Sequence, residues 1–207
     1  MAAVEAREQD QSLASRWGGG RSPFDVGWPK LMMWLFLISD ALTFAGMLIA
    51  LWVARLGGPA WPNRAEIMNI KLVALMTVIL ICSSLAMAMS VYAMRQGARR
   101  AALGFLVATI VAGIVFTFMQ GLEWTHFIEE GARLNGNPWG VPAFSFTFFM
   151  ITGLHGLHVV GGIVYLWAMA VRIAKGRSGE EGLEVAGLYW GFVDLVWVFI
   201  WSSIYLL

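Results

Sequence analysis

Charge is what this 207-residue chain has least of: Asp, Glu, Lys and Arg together make up 13% of it. Water-soluble domains carry about 25%. With 59% apolar residues and a mean hydropathy of +0.70, the composition excludes a water-soluble protein. An excess of either sign is also lacking, since 14 basic residues face 13 acidic ones. There is no basic surface to hold nucleic acid, so none is expected as a partner. Cysteine occurs once, at Cys82 within an apolar run, which excludes an internal disulfide and reads as a buried, inert thiol. The first thirty residues lack an apolar stretch, so they do not read as a cleavable signal peptide. Glu5, Glu8 and Asp10 also break the acid-poor pattern of a mitochondrial transit sequence, which points to a bacterial source.

What the chain has is long apolar runs. Crossing the hydrocarbon core takes about 20 mostly apolar residues. Five stretches qualify: Leu31–Ala54, Leu72–Met94, Ala101–Glu123, Phe144–Val171 and Ala186–Leu207. Lipid cannot hydrogen-bond to free backbone groups, so each must be helical. The expected fold is an all-α polytopic bundle of five transmembrane helices over 31–207, preceded by a polar amino-terminal tail over 1–30. Its six-residue turn, Arg95–Arg100, makes the second and third spans antiparallel neighbours.

Of the basic residues, ten fall on one side: Arg7, Arg16, Arg21, Lys30, Arg95, Arg99, Arg100, Arg172, Lys175 and Arg177. The other side has Arg55, Arg64, Lys71 and Arg133. The positive-inside rule therefore puts the amino end inside and the carboxyl end outside. Trp17, Trp28, Trp61, Trp124 and Trp139 lie near the predicted interfaces, where amphipathic indoles are favoured. No internal repeat is present, and five spans do not divide into the equal inverted halves of many transporters. Small residues four apart, Ala41/Ala45, Gly46/Ala50 and Ser84/Ala88, offer places of close helix approach.

An ionisable group at mid-membrane costs ~2.5–3.5 kcal/mol on insertion scales, so each needs a partner, a cavity or a proton. Asp40 in the first span, Gln120 and Glu123 in the third, His155 and His158 in the fourth and Asp194 in the fifth meet that description. His155 and His158 lie about 60° apart around a helix and could share a partner, with Glu123 or Asp194 completing a metal set. The same residues also suit interhelical hydrogen bonding, which membrane helices commonly use and which fits the pattern better. In the last span Trp190, Asp194, Trp197 and Trp201 share one face, an aromatic packing stripe around an acid. Trp190 and Trp201 could equally be interface anchors.

The fourth span reads Thr-Gly-Leu-His-Gly-Leu-His-Val over 152–159, and the fifth reads Tyr-Trp-Gly-Phe-Val-Asp-Leu-Val-Trp over 189–197. These resemble the T-G-F-H-G-L-H-V and Y-W-H-F-V-D-x-V-W signatures of subunit III of the haem–copper oxidases, the cytochrome c oxidase family. Ile38-Ser39-Asp40 is similar to the family's I-S-E, and the segment from Phe118 to Glu123 to its L-L-Q-x-x-E. The likeness runs over 31–207. Gly191 stands where the family has His, Asp40 stands for the more usual Glu, and the chain looks like the five-helix form rather than the seven-helix one with its lipid cleft.

The resemblance implies a non-redox subunit of a proton-pumping terminal oxidase of the cytochrome c oxidase type, in a bacterial inner membrane. Its implied partners are the catalytic haem–copper subunit I, subunit II and membrane lipids. Haem and copper would sit in those partners, no cofactor or metal would belong to this chain, and a bound phospholipid is possible. The subunit would support assembly, stability and proton uptake without catalysing anything alone. Asp40, Gln120, Glu123, His155, His158 and Asp194 would serve helix packing, lipid contact or a proton-linked network. Residue counts point the same way: ligating two haems and a copper takes more imidazoles than the three present, and a dinuclear copper site takes more thiols than Cys82. An equivalent subunit of a quinol oxidase or nitric oxide reductase shares the fold. An independent proton or ion channel is the alternative from another class.

Overall fold

The computed structural model describes residues 27–58, 61–62, 67–177 and 179–206. Residues 1–26 of the expected tail, with Arg7, Arg16, Trp17 and Arg21, lie outside the described residues, as do Arg64 and Leu207. Among the described residues five helices follow one another: α1 Trp28–Gly57, α2 Ile70–Arg95, α3 Arg99–Glu129, α4 Pro142–Ala174 and α5 Glu180–Ile200. A π-helical turn, Trp201–Leu206, continues α5. All five are long and apolar enough to cross a membrane. The chain is an all-helical, multi-pass membrane protein.

The helix ends extend the predicted spans, for local reasons. Prolines stand in the first turns of α1 and α4, where a missing N–H costs nothing because that N–H has no helical partner. Asn69 caps α2, its Oδ1 accepting from the Leu72 N–H at 3.2 Å. Gly97 turns the chain between α2 and α3 with φ of 73°, a conformation that disfavours other residues. α3 runs six residues beyond Glu123 because Phe127 is drawn into an aromatic cluster, its ring stacked 4.6 Å from that of Phe148 and flanked by Trp139, Phe144 and Phe149. The start of α5 is six residues earlier than predicted. There Lys30 of α1 pairs with Glu184 at 3.0 Å, while Arg95 of α2 pairs with Glu180 at 2.9 Å and also with Glu184.

α5 is the hub of the bundle, packing on α1, α2 and α4, while α2 and α3 form a close hairpin. α1 is peripheral, touching only α4 and α5 substantially. Every helix turns large apolar side chains outward, among them Leu42, Leu85, Phe118, Leu157 and Phe199. That pattern matches a lipid solvent rather than water. The reading of Cys82 as buried is corrected: its position on α2 faces outward, and the residue is a free, exposed thiol.

Candidate functional site

The polar residues of the spans resolve into five separate contacts between helices, one of them with the π-helical turn. At the α1–α4 contact, His158 Nε2 lies 3.3 Å from Asp40 Oδ1, and both side chains are largely buried. His158 Nδ1 lies 2.8 Å from the Leu154 carbonyl, which can only accept, so Nδ1 carries a hydrogen. The Nε2–carboxyl contact gives both groups a polar partner in a low-dielectric site. Phe44 packs edge-on against the imidazole, and Tyr189 Oη donates to the His158 carbonyl at 3.0 Å.

His155, one turn earlier and fully buried, faces α5 instead. Its Nε2 donates to the Val193 carbonyl at 3.2 Å, and its ring lies between Phe116 of α3 and Trp197 of α5. The expectation that the two histidines could share a partner is therefore corrected. A 60° turn around α4 is enough to aim them at different neighbouring helices. Among the described residues no three His, Cys, Asp or Glu side chains converge to hold a metal, so Glu123 and Asp194 complete no set with them.

The α3–α4 contact is built on Gln120, whose Nε2 donates to the Thr152 carbonyl at 2.7 Å, beside Trp124, whose indole donates to Thr152 Oγ1 at 3.2 Å. Glu123, one turn along α3, receives the Tyr205 hydroxyl at 2.9 Å. Tyr205 reaches inward from the π-helical turn, whose wider winding places Ile204 and Tyr205 in adjacent buried positions. Sequence reading missed Tyr205, since a tyrosine near a span end looks like an interface anchor.

The α2–α5 contact joins Ser84, which donates to Asp194, with two indole bonds: Trp190 Nε1 to Ser83 Oγ at 2.9 Å and Trp197 Nε1 to Thr77 Oγ1 at 3.0 Å. Trp190 and Trp197 are wholly buried, so Trp190 is no interface anchor; Trp201 is only half-buried. Thr77 and Ser83 were invisible to sequence reading because small hydroxyls are ordinary in apolar helices, and Ser84 stood out only as a small residue for close helix approach. Trp190 lies in a slot made by Gly113 of α3 and Gly162 of α4. Gly191 faces open space.

Seven buried polar atoms, Asp40 Oδ2, Trp61 Nε1, Gln120 Oε1, Glu123 Oε1, His155 Nδ1, Asp194 Oδ1 and Trp201 Nε1, have no hydrogen-bond partner among the described residues. They are spread over α1, α3, α4 and α5, the loop after α1 and the π-helical turn rather than gathered in one chamber. The arrangement joins helix to helix, with the two span histidines aimed at different helices.

The profile of the family described as cytochrome c oxidase subunit III matches residues 16–207, which includes every contact above. The chain belongs to this family. It is a subunit III of the haem–copper oxidases, in the five-helix form. Among its relatives is a protein named probable quinol oxidase subunit 3 from Staphylococcus saprophyticus, 30% identical over 183 residues, covering 86% of this chain and 88% of the relative. A protein of the same name from Staphylococcus aureus (strain COL) is 32% identical over 185 residues, with the same coverage.

Proposed function

We propose that this subunit III carries no redox centre and acts by packing against the haem- and copper-bearing subunit I, with subunit II, in a bacterial inner membrane. There it supports assembly, stability and proton uptake of a terminal oxidase that reduces oxygen to water. The observation that carries this reading is the family match over nearly the whole chain, joined to polar groups that pair across helices in twos. Scattered pairs suit a scaffold better than they suit the continuous polar file of an independent channel. The positive-inside count supports an amino end inside and a carboxyl end outside, and the residues ahead of Trp28, where α1 begins, would form the polar tail.

A second reading concerns the electron donor. The names of the staphylococcal relatives favour a quinol-oxidising complex over one fed by cytochrome c. Affinity purification of the tagged chain from its native membranes tests both readings. The expected result is co-purification of a partner with haem and copper, with oxygen uptake driven by quinol and no haem band in the chain purified alone. A stoichiometric haem band in the isolated chain would refute the scaffold reading. Uptake driven by reduced cytochrome c alone would refute the quinol one.

A further inference from the structure

The end of the bundle where α3 begins and α4 finishes divides into a neutralised half and a bare one. Around α1, α2 and α5, Lys30 and Arg95 are held by Glu180 and Glu184, and Glu181 Oε1 lies against Gly27 just ahead of α1. Around α3 and α4 stand Arg99, Arg100, Arg172, Lys175 and Arg177, all exposed, and none forms an ion pair among the described residues. They make one patch across two helices: a methyl group added to Gly176, just past α4, would stand 3.5 Å from Arg99 Nη2 at the start of α3.

Helix-end energetics accounts for only part of this. Arg172 and Lys175 suit the carboxyl end of α4, where the macrodipole is negative. Arg99 and Arg100 stand at the positive amino end of α3, with no acid in its first turn. Toward the middle of the membrane the surface below the cations becomes apolar. Arg100, Gly104 and Val107 follow one exposed stripe of α3, and Lys175, Val171 and Val164 follow one of α4. A side chain at Gly104 would meet nothing within 4 Å, so the surface next to Arg100 is open. Each stripe runs from cation to hydrocarbon, the order in which a phospholipid presents phosphate and acyl chain.

The tail is a poor counterion, since its four acids over 1–26 stand against three bases. Phosphates of the bilayer lie at the depth of these cations without any partner having to be recruited, and basic clusters at the ends of membrane helices attract anionic lipids. We propose that this patch binds the headgroups of anionic phospholipids, with phosphate on the bare guanidinium and ammonium groups and acyl chains along the two stripes.

The test loads the full chain into bilayers of phosphatidylcholine with a minority of phosphatidylglycerol, extracts it in mild detergent and identifies the retained lipids by native mass spectrometry. Wild type should retain phosphatidylglycerol enriched about fivefold over the bilayer, the preference that one surface cation supplies. Arg100→Gln with Lys175→Gln should return the retained lipids to the bilayer composition. Lys71→Gln with Arg133→Gln, which removes as much charge from the opposite end, should leave the enrichment intact. A topology signal with no ligand would leave wild type at bilayer composition, and that result overturns the proposal. Enrichment that survives in the Arg100 and Lys175 variant, or falls equally in both, overturns it as well.

Wild type gives a second measurement should the variants fail to insert. Sodium chloride during extraction should erase the enrichment, because exposed charges are screened, and sodium phosphate at equal ionic strength should do no more. Enrichment indifferent to salt overturns the proposal; so does displacement by phosphate and not by chloride, which would make the patch a site for free phosphate. Enrichment in the isolated chain that vanishes in the intact oxidase would assign the patch to an acidic protein surface and overturn it too.

Discussion

The indole of Trp190 lies so close to Gly113 that a methyl group added to the glycine would stand 2.6 Å from the ring's Cη2. Trp190 is 0% exposed and tethered at its other edge by the bond to Ser83, so the ring cannot retreat. Gly113→Ala should therefore overpack the core where α3, α4 and α5 meet, at a cost of about 1–3 kcal/mol. Thermal unfolding of the detergent-solubilised protein checks this. A melting temperature equal to wild type would mean that α3 shifts freely, contrary to the tight slot.

Tyr205→Phe removes the hydroxyl that serves Glu123 Oε2 while keeping the ring that packs on Phe148 and Trp197. With Oε1 already unpartnered, the carboxyl would then have no bond from the described residues. Loss of a buried partner costs about 1–3 kcal/mol, with membrane interiors toward the low end. The double variant with Glu123→Leu should be less destabilised than the sum of the singles, because the group left stranded is gone. Additive effects would mean that the two side chains do not act on each other.

Asp40→Asn is expected to be tolerated. A carboxamide can donate its Nδ2 hydrogen to His158 Nε2 while the Leu154 carbonyl accepts from Nδ1, so the pair stays bonded. Asp40→Ala strands the ring nitrogen and should loosen α1, the least extensively packed helix, by ~0.6–1.7 kcal/mol. Proteolytic susceptibility of the loop after α1 in the two variants measures this. Equal cleavage of both would show that the bond does not hold α1.

The number and order of the helices were legible because the bilayer imposes one length and one backbone conformation on any apolar run. Their ends were not, because tertiary contacts set them: the aromatic cluster around Phe127 extends α3, and the ion pairs of Lys30 and Arg95 pull two further turns onto α5. The costly residues stood out in the sequence, yet their partners did not. Asp194 pairs with a serine, Glu123 with a tyrosine and His155 with a main-chain carbonyl, none of which carries a distinctive signal. The two histidines misled for a related reason, since sharing a helix face in projection is not sharing a neighbour.

The exposed ion pairs offer a local test of why α5 begins where it does. Glu184 links Lys30 and Arg95, and Glu180 also holds Arg95, so the first turns of α5 are tied to the ends of α1 and α2. Replacing Glu184 by Gln should let those turns fray, giving faster amide hydrogen exchange from Leu183 to Gly187, the first amides with helical partners, and no change around Trp197. Raising ionic strength should speed exchange in wild type toward the variant's rate, because exposed pairs are screened. Unchanged exchange in the variant would assign the early start of α5 to backbone propensity alone.

His155→Ala separates a scaffold from a participant in turnover. The imidazole is fully buried between Phe116 and Trp197 and bonded to the Val193 carbonyl, so truncation opens a cavity and frees a carbonyl where α3, α4 and α5 meet. If the chain acts by holding its helices in register for docking, the variant should lower the yield of intact oxidase. The complexes that do form should retain oxygen consumption within about twofold, since a change that leaves the barrier to chemistry alone leaves its rate alone. The measurement is turnover per haem alongside the ratio of this chain to haem. A large fall in turnover at an unchanged ratio would place His155 on the path of protons or electrons and overturn the scaffold reading.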